Sequence, residues 1–549
     1  MTTDTQALQL VVCCDGTNNN LTGQHSDTNV VKLCELLAYA PDARRLMFYD
    51  PGVGNPADLP GASVADMLQR KMNRIAGLVF GRGVYENIAD CYRFLMQHYP
   101  QQLADGEPAP EIFLLGFSRG AFTARAVAGL VNQFGLLQPH MDNMITTLVH
   151  GYFSQRKGGD AQLKAIAEQL RTLFGTKPRQ VAVQFVGVWD TVAAVGMPPF
   201  TTSFTTEPRA TGKVFVHVRH ALALDEQRAH FQARTYLDAN GPMPTQFGTM
   251  GSMQQRWFRG AHCDVGGGYG YKDAALSDQA LAWLVSEGVC CGLRLSLHGQ
   301  PLDTPERVGQ ALQQVLPATP RQPTHCVHSQ TWISPWWALT GLAVRPTDGP
   351  AQEHPSVAQT PMTLQCDSVW GRKRPGRGVL AGAAVLLVLL YVGMGWLLSG
   401  HASEPAALLQ APLHFAQWQL TAPLHWGAVQ SPGFNAAGWA LLWDLPFILA
   451  YAYLLAWAGT SGFARMAGLR RAGHAAPRWL QLLGRALPLA VLADAAEDLL
   501  SAATLAMAAV DHPQWAWCLA LAMALASLAK YAGLLGALLL ALCALRPLR

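Results

Sequence analysis

Gly116-Phe117-Ser118-Arg119-Gly120 sets a serine between two glycines, after the apolar run EIFLLGF (111–117) and before AFTARAVAGL. A nucleophile elbow needs that order: strand, tight turn, then helix. Gly116 and Gly120 would permit the strained turn that projects the Ser118 hydroxyl. The backbone N–H of Arg119 would supply one oxyanion donor. The bland alternative is a Gly-rich strand–helix turn without chemistry. The flanking strand and helix favour the catalytic reading.

A serine needs a base, and the base needs an orienting acid. In this type of site the chain order is serine, acid, histidine. Asp190 follows the apolar run VAVQFVGVW (181–189), and His262 lies in the Gly-rich stretch GAHCDVGGGY, so Ser118, Asp190 and His262 fit that order. Rival bases are His217, His220 and His230; rival acids are Asp225 and Asp264. Asp264, two residues from His262, is a candidate for orienting the loop rather than the imidazole. Asp15-Gly16-Thr17 follows the first apolar run, and the N–H of Gly16 or Thr17 is a candidate for the second half of the oxyanion hole. An Asx-capped turn explains the same residues equally well. Asp15, Asp190, Asp264 and His262 match no standard metal spacing, so no metal or other cofactor is expected.

These residues need a scaffold that brings distant segments of the chain together. Apolar runs at 8–14, 45–49, 111–117 and 181–189 read as buried strands. Helical spacing appears at 83–98, after Ser118 and at 275–288, and 220–231 (HALALDEQRAHF) also reads as helix. Such alternation argues for a mostly parallel sheet with flanking helices. Residues 296–376 are richer in Pro and polar residues, with Trp332, Trp336 and Trp337 among them, and read as a connector. The expected organisation is a catalytic domain over 1–370, with its core in 8–285, and an all-α membrane domain over 378–549.

The second domain rests on four stretches long enough to cross a bilayer of ~30 Å: 378–399, 439–459, 486–509 and 515–545. A buried core helix is the alternative for each, most seriously for 486–509, which contains Asp494, Glu497 and Asp498. Arg372, Lys373, Arg374 and Arg377 precede the first stretch, and Arg465, Arg470, Arg471, Arg478 and Arg485 lie between the second and third. That alternation predicts a multi-pass protein with both termini cytoplasmic. Lys530 would be expensive alone in the fourth stretch. Asp494, Glu497 and Asp498 share one helix face, so that face is expected to pair with Lys530.

Composition narrows the function. Half of the 549 residues are hydrophobic and 14% are charged, below the ~25% of an ordinary soluble domain. A net charge of +4, spread without a basic stripe, gives no footprint for nucleic acid. The 11 cysteines include no CxxC, so neither a zinc site nor a disulfide framework is indicated, and mostly reduced thiols are expected. The N-terminus lacks the pattern of a signal peptide.

VVCCDGTNNN, YDPGVGN, LLGFSRGAFTARAVAGLV, VGVWDTVAAVG, HVRHALALDEQR and WFRGAHCDVGGGY follow one another over about 8–285. They resemble successive blocks of the bacterial α/β-hydrolase family that includes type VI secretion phospholipase effectors; EHPSVAQ (353–359) resembles a late block. The resemblance implies a Ser-Asp-His triad, which falls on Ser118, Asp190 and His262. It also implies phospholipase activity, with secretion-apparatus and immunity-protein partners. The C-terminal spans are an addition to it. The chain is therefore expected to be a membrane-anchored serine hydrolase, a phospholipase A-type antibacterial effector acting on membrane phospholipid. It would sit in a bacterial inner membrane, hydrolase domain cytoplasmic, unless delivered into a target cell; no delivery tag is recognisable. The alternatives are a serine esterase or thioesterase with a soluble substrate, and a membrane-active protein whose effect comes from its spans.

Overall fold

The computed structural model describes residues 6–16, 27–52, 82–155, 165, 168–169, 181–192, 194–195, 202–203, 209–315, 326–347, 349–359, 364–366, 368–369, 372–401, 403–423, 434–468, 478–509 and 513–543. They form two compact units: 1–226, 230–328 and 345–366 in one, and 227–229, 329–344 and 367–549 in the other.

The first unit is an α/β structure. Strands β1 (Gln9–Cys14), β2 (Arg45–Asp50), β3 (Glu111–Phe117), β4 (Val183–Trp189), β5 (Phe215–Ala223), β6 (Gly241–Pro244), β7 (Met250–Phe258) and β8 (Gln352–Glu353) form one eight-stranded sheet. Its order is β8-β7-β5-β4-β3-β1-β2, with β6 beside β7. Every pairing is parallel except β6 with β7. Parallel strands covered on both faces must be apolar on both, and all six residues of β1 are buried. Alternate side chains go to opposite cores. Leu10, Val12 and Cys14 join the core that contains residues of α2 (Arg82–His98), α3 (Arg119–Phe134) and α4 (Ile145–Gln155). Val11 and Cys13 join the one that contains residues of α1 (Asn29–Tyr39), a short α5 (His262–Gly266), α6 (Ala275–Cys290) and α7 (Pro305–Val315).

The helix expected over 220–231 is not there. Residues 220–223 complete β5, and only Ala229–Phe231 turns, as a short 3-10 segment. Ala and Leu favour a helix weakly, whereas here the backbone of 217–221 is paired on both sides by β4 and β7, and the pairing with β7 continues to 223. The cysteine expectation holds for nine described cysteines, which are free, but Cys366 is disulfide-bonded.

The second unit is helical: α8 (Arg377–Leu398), α9 (Pro405–Thr421), α10 (Phe434–Gly468), α11 (Ala486–Ala509) and α12 (Pro513–Leu542). Among the described residues, three helical stretches are long and apolar enough to cross a membrane: Arg377–Leu398, Trp439–Ala464 and Trp517–Leu542. The third expected span, 486–509, is the helix α11 but is not among them; it carries Asp494, Glu497 and Asp498. Lys530 of α12 lies 3.1 Å from Asp494 Oδ1 and also pairs with Glu497. Tyr451 donates to Asp494 (2.5 Å), and the Ser527 hydroxyl donates to Glu497. Asp498 instead groups with Asp444 and Asp494, their carboxylate oxygens within 4.8 Å of one another.

Part of the expected connector belongs to this unit. Ala229 N donates to Gly341 O and Ala343 N to Gln227 O, while Leu342 N donates to Gly484 O at 2.8 Å. The Arg374 guanidinium lies 3.5 Å from the centre of the Trp332 ring and 4.6 Å from that of Trp457.

Candidate active site

In parallel open sheets, functional groups gather beyond the carboxyl ends of the strands. Asp15, Asp50, Ser118 and Asp190 all stand there, at the ends of β1, β2, β3 and β4. A strained turn stands at Ser118. Its φ is 58° and ψ −119°, a left-handed conformation that non-glycine residues rarely adopt. Its neighbours make this possible. A Cβ on Gly116 would come within 2.5 Å of Gly120 O, and one on Gly120 within 2.4 Å of Asp15 O. Both glycines are needed so that β3 can turn into α3 against the end of β1. Ser118 N donates to Trp189 O (3.0 Å), and its carbonyl accepts from Phe122 N (3.3 Å).

The structure brings Ser118, His262 and Asp190 together. Ser118 Oγ lies 2.7 Å from His262 Nε2, and His262 Nδ1 lies 2.5 Å from Asp190 Oδ2. An ionised carboxylate only accepts. Nδ1 therefore carries the imidazole proton, and Nε2 is left to accept from the Ser118 hydroxyl. The ring is wedged between Phe117 (centroids 4.7 Å apart) and Phe231 (5.1 Å, edge-on). The His262 amide donates to Glu226 Oε2 at 3.2 Å. His262 begins the short α5 rather than lying in a free Gly-rich loop.

Asp190 is fully buried and also has a positive φ, 43°. Its Oδ1 accepts from Ala223 N (2.9 Å), and the Arg345 guanidinium grips both oxygens, with Nη2 to Oδ2 at 2.9 Å. Burial pushes this carboxyl up, but Arg345 and the His262 hydrogen bond overcome it and hold Asp190 well below the usual carboxylate range. Arg345 is itself fully buried and donates further to Ala223 O (2.7 Å) and to Phe231 O through Nε (3.1 Å).

Asp264 holds the chain around His262 rather than its ring. One oxygen accepts from Ala261 N and His328 N, both at 2.9 Å, and the other lies 2.6 Å from His328 Nδ1. Burial alone would lower the His328 pKa; the Asp264 hydrogen bond reverses this and raises it.

Asp15 is fully buried and accepts from the Thr28 and Tyr49 hydroxyls, both at 2.9 Å. Its other oxygen takes the Gly16 N–H at 2.6 Å. One candidate oxyanion donor is thus held by the side chain of its own neighbour. Thr17 lies outside the described residues. Arg119 is the first residue of α3, so its N–H belongs to a helix N-terminus, where backbone donors are unsatisfied.

The rivals His217, His220 and Asp225 have other partners. His220 sits on β5, not on a helix. Its Nε2 accepts from Thr191 N (3.3 Å), and burial, with Arg125 nearby, pushes its pKa down to about 3. His217 Nδ1 meets Ser252 Oγ at 2.9 Å. Asp225 accepts from Gly260 N at 2.7 Å. His230 lies in the 3-10 turn.

Four supporting residues escaped the sequence reading: Glu226, Phe231, His328 and Arg345. Arg345 lies 155 positions from Asp190. No motif or spacing marks it, and only its burial against a carboxylate reveals it.

The uncharacterized protein YEL023C of Saccharomyces cerevisiae is 28% identical over 243 residues, 43% of this chain and 33% of that protein. The aligned part thus spans about a third of the curated relative's length. A crystal structure of an uncharacterized protein from Pseudomonas aeruginosa matches with a TM-score of 0.31 and 15% identity, covering 90% of this chain and 67% of that one. Residues 8–287, half of the 549-residue chain, match the family described as "T6SS, Phospholipase effector Tle1-like, catalytic domain". The chain belongs to this family of Tle1-like phospholipase effectors.

Proposed function

We propose that the chain is a membrane-anchored serine hydrolase of α/β-hydrolase type that cleaves phospholipid ester bonds, with Ser118 as nucleophile, His262 as general base and acid, and Asp190 as orienting acid. The observation that carries this reading is the unbroken hydrogen-bonded chain Ser118–His262–Asp190 at the carboxyl edge of the sheet, on a serine in a strained turn. Strain of this kind persists only where the surroundings enforce it, and it collects at functional sites.

The chemistry follows from the proton positions. His262 Nε2 takes the Ser118 proton as Oγ attacks the ester carbonyl. The imidazolium that forms is stabilised by Asp190, which stays ionised. The backbone N–H of Arg119 is the oxyanion donor we assign. Gly16 serves only if its contact with Asp15 opens as substrate binds. Nε2 then gives its proton to the departing lysophospholipid alcohol, and a water activated in the same way releases the fatty acid. The three long apolar helical stretches would hold the site at a lipid surface, where the effective substrate concentration is high. A phospholipase A-type, antibacterial role belongs to the same proposal.

The test is lipid product analysis on phosphatidylethanolamine/phosphatidylglycerol vesicles with the full chain and with Ser118→Ala. Fatty acid and lysophospholipid released by the first and not by the second support the reading. No release by a folded, detergent-solubilised wild type would sink it.

A further inference from the structure

We propose that Arg345 is a positioning residue of the catalytic machinery, acting through Asp190 to fix the tautomer and orientation of His262. The inference rests on the serine-hydrolase reading above.

Asp190 has two oxygens and two tasks. Oδ2 accepts the hydrogen bond from His262 Nδ1; Oδ1 accepts from Ala223 N; the planar guanidinium of Arg345 spans both. A bidentate fork fixes the plane of a carboxylate as well as its charge. Arg345 is in turn held by Phe231 O and Ala223 O, and the Phe231 ring packs edge-on against His262. One guanidinium thus ties together the acid, the strand end behind it and the residue packed against the base. A side chain present only to neutralise a buried charge would not need contacts to both sides of the dyad.

Arg345 also has a distinctive place in the chain. It lies beyond the segment that matches the family's catalytic domain, 8–287. It is the first residue of 345–366, directly after 329–344, which packs in the helical unit. On this inference the acid arm is completed from outside the matched segment.

Among the described residues, the charged and titratable groups around the dyad include Arg345 on Asp190, Glu226 at the His262 amide, and His220, with Arg125 beside it, near Thr191. Among the described residues, Arg345 is the cation in direct contact with Asp190. Removing it increases the proton affinity of the Asp190–His262 pair, whichever member takes the proton. An opposite charge at this range shifts a titration by about 1–3 pH units.

The experiment measures pH profiles of p-nitrophenyl butyrate hydrolysis by the full chain in detergent, for wild type, Arg345→Met and Arg345→Lys. Arg345→Met is expected to move the acid limb of kcat/KM up by about one pH unit. It should also lower kcat about 100-fold with KM nearly unchanged. Arg345→Lys keeps the charge and loses the fork, so its limb stays in place while kcat falls about tenfold. If Arg345→Met does not fold, the Lys variant carries the test. A Lys variant with wild-type kcat overturns the proposal, as does a folded Met variant with an unmoved limb. Failure of both variants to fold overturns it in favour of a purely structural ion pair. A fluorophosphonate probe separates the two readings. No labelling of Ser118 in the wild type defeats the serine-hydrolase reading itself; labelling there, with variants that behave as wild type, defeats only the role of Arg345.

Discussion

Asp190 in the α/β unit and Glu497 in the helical unit are both completely buried carboxylates, and each faces a cation. Asp190 meets a planar guanidinium that engages both of its oxygens, and it still presents Oδ2 to His262. Glu497 meets the compact ammonium of Lys530, which it shares with Asp494, and its other described donor is the Ser527 hydroxyl. A fork fixes orientation; a point charge with three rotatable donors fixes association. The first arrangement suits a site where a proton must lie on one chosen nitrogen. The second suits joining α11 to α12 through charges that are mostly buried. Burial of charge alone therefore does not mark chemistry. What sets the first pair apart is a strained serine within reach of it.

The largest expected effect that would break this contrast is at Ser118. Ser118→Ala should lower hydrolysis by about 10³-fold or more and leave thermal unfolding unchanged. Residual turnover within tenfold of wild type would show that the serine's strain serves something else. At the other pole, Lys530→Met strands two carboxylates, and removing one partner of a buried pair typically costs about 3–5 kcal/mol. Detergent-phase unfolding should show the loss, and combining the change with Asp494→Asn and Glu497→Gln should recover most of it. An unaltered midpoint for the single variant would mean that the cluster contributes no stability.

Asp264 sharpens the same comparison between orienting and merely neutralising carboxylates. Asp264→Asn removes the charge that pairs with His328 and weakens the grip on the Ala261 amide. Small misplacements of a catalytic group reduce turnover steeply, so kcat should drop about tenfold while Ser118 still reacts with a phosphonate. Wild-type kcat would show that α5 holds its place unaided.

The smallest effect is at Asp50, a buried carboxylate whose described partners are the Asn87 and Gly52 amides. Burial pushes its pKa up to about 6. The folded state thus holds this proton more tightly than the unfolded chain does. The contribution to stability is complete at pH below the unfolded value near 4 and is lost as pH rises through about 6. Asp50→Asn should therefore flatten the stability profile between pH 4 and 7 and raise stability at pH 7 by about 1 kcal/mol. Parallel profiles for the two proteins would refute the shift.

Much of the α/β unit was legible in order along the chain. The strand ending at Trp189 and the strand–turn–helix around Ser118 announce themselves by apolar runs and glycines, because a buried parallel strand must be apolar on both faces. The stretch 220–231 was misread, since HALAL satisfies a helix pattern locally and only pairing with β4 and β7 decides otherwise. For α11 the tension was visible in advance: Asp494, Glu497 and Asp498 interrupt an otherwise apolar helix. Pairing with Lys530 could be anticipated for Asp494 and Glu497 from their shared face. The position of Asp498 beside Asp444 could not.

By itself the sequence determined which side chains stand at the ends of the strands, since motif order and apolar runs are local properties. It thereby named Ser118 and Asp190, and motif order added His262 as one histidine among rivals. Which of several histidines reaches the serine, which carboxylate holds a loop and which holds a ring, and that Arg345 closes on Asp190 were decided only by tertiary structure. Those choices are contacts between residues dozens to hundreds of positions apart. They are fixed by how a twisted sheet brings its strand ends together, and no short stretch of sequence encodes them.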